Sequence, residues 1–137
     1  MTDLADLKVA VQRFVSAFSH LDWDIFSASF SSEASVFFPF TDTLERVDGT
    51  NAVMTRFKAF FSEVRESRSG PDYLGLDPQN LRIEMFAGAA LVTFHLHDES
   101  QLGRRSMIWT LEDHQWKLKH LHASNMDRSV GDTTFQN

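Results

Sequence analysis

Residues 104–124 read RRSMIWTLEDHQWKLKHLHAS. Two alternating runs flank the pair Asp113-His114, and period-two alternation on both sides of a short polar connection marks a β-hairpin. In the second run Trp116, Leu118, His120 and His122 share one parity, Lys117 and Lys119 the other. The lysines mark the solvent side, so the spacing predicts that His120 and His122 point inward. A two-residue turn puts His120 opposite Met107 and His122 opposite Arg105, with Trp109 and Leu111 continuing the inner face.

The same reasoning extends upstream. If Glu99-Ser100 is also a two-residue turn, Phe94 faces Arg105 and Val92 faces Met107. Strands are expected at 90–98, 102–112 and 114–124, preceded by an alternating run in which Leu81, Ile83 and Met85 interleave with Arg82 and Glu84. The second histidine pair, His95 and His97, comes out on the outer face. The parity agrees across strands, which is stronger evidence than any single alternation.

The first half has a different period. Leu4, Leu7, Val11, Phe14, Val15, Phe18 and Leu21 recur at helical spacing, with Thr2 or Asp3 available as N-cap. Asp22 can cap a second helix carrying Trp23, Phe26 and Phe30 on one face, and a strand over 34–38 stops at Pro39. Thr50 can cap a third helix, in which Val53, Met54, Phe57, Phe60, Phe61 and Val64 form a broad apolar stripe. The stretch SRSGPDYLGLDPQN is a loop by its Gly-Pro and Asp-Pro steps. Helices at 3–20, 22–30 and 50–66 followed by an antiparallel meander make an α+β domain, with the helices covering one face of a curved sheet.

Composition narrows the function. The chain has 137 residues, one domain by size, with 19 acidic against 13 basic side chains and a formal charge of −6. That balance argues against a nucleic-acid partner. Arg65, Arg68, Arg104 and Arg105 are the local basic concentrations. There is no cysteine, so disulfides and thiolate metal sites are excluded. The N-terminal MTDLADLKVA is acidic and amphipathic, unlike a secretory signal, and no apolar run is long enough to span a bilayer. A cytoplasmic location with no membrane association is expected. Thirteen phenylalanines and three tryptophans against one tyrosine imply an aromatic core of the kind that encloses apolar cavities.

The opening LDWDIFSASFSSEASVFFP and the ending RRSMIWTLEDHQWKLKHLHAS resemble the nuclear transport factor 2-like superfamily, whose members include SnoaL-like polyketide cyclases, ketosteroid isomerase and scytalone dehydratase. The pattern is most similar to the association domain of calcium/calmodulin-dependent protein kinase II. The resemblance covers residues 3 to about 125 and implies a cone-shaped, cystatin-like α+β fold with the three helices packed on a strongly curved sheet. It divides the chain into one domain, 1–125, and a polar tail, 126–137. The functional groups of those relatives do not carry over intact. Two arginines that line the association-domain pocket fall at Met107 and Ala123. The first helix offers Phe14 and Phe18 where ketosteroid isomerase has a tyrosine. Glu84, Asp98 and Glu112 lie on outer faces or turns rather than inside as a SnoaL-type base.

The resemblance implies a small-molecule-binding protein, with isomerase, cyclase or dehydratase-type chemistry open, or a non-catalytic assembly module. From the residues, the expected site is an aromatic cavity walled by Trp23, Phe37, Met107 and Trp109, with Arg105, His120 and His122 as its polar patch. Its ligand would be small and apolar or anionic. Neither cofactor nor metal is expected, because a guanidinium beside two imidazoles repels a cation and a zinc site needs a third ligand. A homodimer is expected through the outer sheet face, on Ile108, Thr110, Leu121 and Ala123.

Overall fold

The apolar stripe of the first segment produces helix α1, Leu4–His20, which buries Leu7, Val11, Phe14 and Ala17. The helix ends at Leu21, which takes the left-handed conformation usual for glycine (φ 57°) and is almost fully buried. Arg65 holds the turn by donating to the Leu21 carbonyl at 2.9 Å. Helix α2, Trp23–Ala28, begins where the Asp22 carboxylate accepts from the Ile25 N–H. It is shorter than its apolar pattern because Phe30 already belongs to strand β1, Phe30–Phe37. Strand β2 is only Val47–Asp48. Helix α3, Thr50–Ser67, turns Val53, Phe57, Phe61 and Val64 inward. Its cap is Gly49 (φ 91°), which a glycine tolerates, and the Thr50 hydroxyl instead donates to the Ser31 carbonyl.

Strands β3, Gln79–Phe86, β4, Ala89–His97, β5, Gln101–Glu112, and β6, Gln115–Asp127, complete a six-stranded sheet of order β2-β1-β6-β5-β4-β3. The computed structural model describes residues 3–128. The meander is antiparallel as expected, but β1 closes onto β6 in parallel. Strand β6 runs past the expected domain boundary, because Met126 and Asp127 still pair with Leu102 and Gln101. Arg128 donates its backbone N–H to the Ser100 carbonyl at 3.0 Å, and residues 129–137 of the expected tail lie outside the described residues.

The helices pack on the inner face of the curved sheet, and the core between them is phenylalanine. Phe26 lies within 5.2 Å, ring centre to ring centre, of Phe14, Phe30, Phe57 and Phe61. Such stacked, tilted and edge-on packing favours aromatic pairs beyond the area they bury. Trp109 is fully buried among these elements. Burying a side chain of this size contributes about 2–3 kcal/mol.

One local feature decides what the sheet presents on each side. The β5–β6 register begins as the hairpin requires, with Leu111 opposite Trp116 and Trp109 opposite Leu118. The next pair is Ile108 with His120, so Lys119 is an extra residue on β6. A single-residue bulge reverses every later side chain on that strand. Leu121 and Ala123 therefore turn inward opposite Met107 and Arg105, and both are buried. His120 and His122 turn outward opposite Ile108 and Ser106. The expectation that the two histidines point inward, and that Leu121 and Ala123 supply apolar surface outside, is corrected by this bulge.

Candidate functional site

A cavity of about 670 Å³ opens between α1, the end of α3, the 68–79 segment and the inner faces of β4, β5 and β6. Phe14, Val15 and Phe18 enter from α1 and Phe60 from α3. Phe94 and Leu96 come from β4, Met107 from β5 and Leu121 from β6. Phe14 and Phe18 recur at helical spacing with the core residues of α1, and Phe94 faces Arg105 across the β4–β5 ladder as expected.

The 68–79 segment is held over the cavity by one serine. Ser19, buried on α1, accepts the Leu74 N–H at its carbonyl (3.0 Å) and the Leu76 N–H at its hydroxyl (2.9 Å), and it donates that hydroxyl proton to Asp72. The other contact of the same Asp72 oxygen is the Gly75 N–H at 2.9 Å. Hydrogen bonding from Ser19, then from Gly75, keeps the Asp72 carboxyl below the usual carboxylate range. Leu74, Gly75, Leu76 and Asp77 consequently form one wall of the cavity. Periodicity cannot reveal this arrangement, since a serine among helical apolar positions has no pattern of its own.

Arg105 is the half-buried cation of the site; Arg68, exposed at its rim, donates to the Tyr73 carbonyl at 3.4 Å. Arg105 lies on β5 between Gly103 and Met107 and donates from Nη1 to the carbonyls of Arg104 and Ser124 (both 3.0 Å) and to Oδ1 of Asn125 (3.1 Å). All three acceptors are uncharged. The ion pairs among the described residues lie elsewhere, at Arg46–Asp48, Arg56–Asp42 and Arg82–Glu84. With no anion beside it among the described residues, burial lowers the pKa of the Arg105 guanidinium to about 10. Gly103 makes the Asn125 contact possible: a β-carbon there would sit 3.2 Å from both Asn125 Oδ1 and the Leu96 β-carbon.

Of the remaining expected residues, Met107 joins Arg105 at this cavity and the others do not. Met107 lines the cavity, and Trp109 lies beside it in the core, donating its indole N–H to the Met107 sulfur at 3.3 Å. Trp23 packs edge-on against Phe61 and beneath the Lys58 ammonium, away from the cavity. Phe37 is on the outer face, its ring 5.0 Å from His122 and 5.8 Å from His120. His120 Nδ1 is 2.8 Å from the Ser35 hydroxyl, and burial, then the neighbouring His122, lowers its pKa. The Arg/His patch expected from the sequence is thus two features on opposite faces of one sheet. Asn125, rather than an imidazole, accompanies Arg105.

The acidic residues at the cavity, Asp77 and Asp98, are rim groups. Asp98 accepts the N–H groups of Ser100 and Gln101 at 2.8 Å, and the hydrogen bond from Gln101, then that from Ser100, lowers its pKa. A carboxylate so stabilised is a weak proton acceptor. The cavity is thus an apolar body site ending at the half-buried Arg105 guanidinium and the exposed Asn125 carboxamide. Among the described residues no three His, Asp or Glu side chains converge as a metal site.

The model of the SnoaL-like domain matches residues 7–128. The chain belongs to the SnoaL-like domain family. Among solved structures, this SnoaL-like chain is similar to an NTF2-like protein of unknown function from Pseudomonas putida KT2440, with 15% identity and a TM-score of 0.72 over 88% of this chain and 84% of that one. It is similar to a cystatin-like-fold protein from Caulobacter vibrioides, with 10% identity and a TM-score of 0.70 over 93% and 92%. The association domain of C. elegans CaMKII aligns at 17% identity and a TM-score of 0.64 over 88% and 93%. These likenesses establish the cystatin-like α+β fold. No curated protein matches the chain. No helix among the described residues is long and apolar enough to cross a membrane.

Proposed function

We propose that this SnoaL-like domain binds a small organic anion, with the apolar part of the ligand against Phe14, Phe18, Phe94 and Met107 and its carboxylate or enolate at Arg105. The observation that carries the reading is the half-buried guanidinium whose acceptors among the described residues are all neutral. A charge removed from water without a counter-ion is costly, and an anion that supplies the counter-charge recovers much of that cost. Arginine also offers a planar donor fork that suits a carboxylate. The cavity volume falls in the range of small-molecule sites. His120 and His122 have no part in this site.

Matched probes test the reading: a series of small carboxylates and their uncharged amides, compared by thermal shift. Carboxylates should raise the melting temperature and the amides should not. Equal shifts from both members of each pair, or from neither, would contradict it.

A second reading, a non-catalytic assembly module, draws support from the fold-level likeness to the CaMKII association domain. The two are compatible, since the cavity lies on the inner face. Of the four residues expected to make the outer face apolar, only Ile108 and Thr110 remain there, beside the polar Ser35, Ser106, His120 and His122.

A further inference from the structure

The sheet has two edges, and they are guarded differently. At one end β2 is two residues long, too short to template another strand. At the other, β3 runs Gln79–Phe86, eight residues without proline or lysine, and among the described residues pairs on one side only, with β4. Alternate residues of such a strand direct their N–H and C=O groups away from the sheet. Its apolar side chains are unusually open: Leu81 is 43% exposed, Met85 37% and Phe86 59%. A long edge with exposed apolar side chains is where another strand adds.

The sequence of the edge says which strand. Written outward from Ile83, it is Leu81-Arg82-Ile83-Glu84-Met85. We infer that β3 pairs with β3 of a second copy, antiparallel about a twofold axis through Ile83. In that register Arg82 of each copy faces Glu84 of the other on the outer face. Leu81 faces Met85, and Ile83 faces Ile83, on the inner face. Over residues 81–85 every cross-strand pair is then either oppositely charged or apolar with apolar, the two kinds that stabilise a sheet, while Phe86 meets Asn80 at the bulged end. A shift of the axis by one residue puts Arg82 or Glu84 against its own kind or against an apolar partner.

The charged pair is free to be shared. Arg82 and Glu84 already meet within one strand at 3.0 Å, with side chains 70% and 44% exposed, so a second copy extends that pair into a four-charge network without burying a new charge. The bulge between Gln79 and Arg82 interrupts the strand at its start and limits the pairing to its central residues. The contact is isologous and closes as a dimer. It leaves the outer face uncovered and does not depend on the cavity reading.

Charge reversal tests the pairing by sedimentation velocity over micromolar concentrations, with circular dichroism confirming the fold. Wild type should dimerise. Glu84→Arg and Arg82→Glu, each alone, should weaken the dimer roughly tenfold or more, because like charges then face each other twice. Mixing the two variants in equal amounts should restore a heterodimer, and the double variant Arg82→Glu/Glu84→Arg should dimerise like wild type. The double variant keeps the charge composition and serves as the test should a single variant fold poorly. A monomeric wild type, single variants that dimerise unchanged, or a mixture that stays monomeric would each overturn the inference.

Discussion

Arg105 Nη1 donates to Oδ1 of Asn125, 3.1 Å away at the β5–β6 end of the cavity. Asparagine is a neutral acceptor, so it orients the guanidinium and leaves its charge uncompensated. Asn125→Asp would supply the missing anion from the protein itself. We expect that variant to gain about 1 kcal/mol of stability from a charged hydrogen bond and to lose roughly tenfold or more in affinity for carboxylate probes. Calorimetric titration beside thermal unfolding checks both.

The bulge at Lys119 makes adjacent residues respond oppositely. Leu121 is buried against Val36 and Met107, so Leu121→Ala should cost about 2–4 kcal/mol. His122 is exposed on the outer face, and His122→Ala should change stability by no more than about 0.5 kcal/mol. Urea unfolding of the two variants measures the contrast, and a reversed order would place the histidines inside.

Ser19 ties the 72–76 segment to α1. Ser19→Ala removes the acceptor for the Leu76 N–H and the donor to Asp72, and should destabilise by about 1–3 kcal/mol. Carboxylate probes should also dissociate faster, because one wall of the cavity loosens. Stopped-flow displacement reads this second effect independently of the melting temperature.

His120 gives the outer face a pH dependence. Burial, then His122, lowers its pKa below the ordinary 6.5, so the unfolded chain takes up this proton before the folded one does. Its contribution to stability is present above the ordinary value and is lost as pH falls through the lowered folded value. Between about pH 7 and 5, thermal stability should fall less steeply in His120→Gln than in wild type.

Much of the fold is legible in the sequence because its elements obey simple periods. The bounds of α1 and α3 follow the apolar stripes, and the β4–β5 register follows from a short turn with no irregularity after it: Phe94 does face Arg105, and Val92 does face Met107. The β5–β6 register is equally legible as far as Trp109 and Leu118. Beyond them one inserted residue reverses the strand. Its trace in the sequence is a change of apolar parity, from Trp116 and Leu118 to Leu121 and Ala123, which the lysine pattern masks. The cavity's other parts are less legible, because Ser19, Gly103 and Asn125 act through close approach in space and have no period.

The central claim is that Arg105 is retained for a ligand and not for the fold. Arg105→Met keeps most of the volume and removes an uncompensated desolvated charge, so stability should stay within about 1 kcal/mol of wild type or rise. The direct measurement is calorimetric titration of 3-phenylpropionate into wild type and into this variant. We expect saturable binding to wild type and no binding to an equally stable Arg105→Met. Undiminished binding by the variant, or a variant that unfolds while wild type binds none of the carboxylates, would contradict the account.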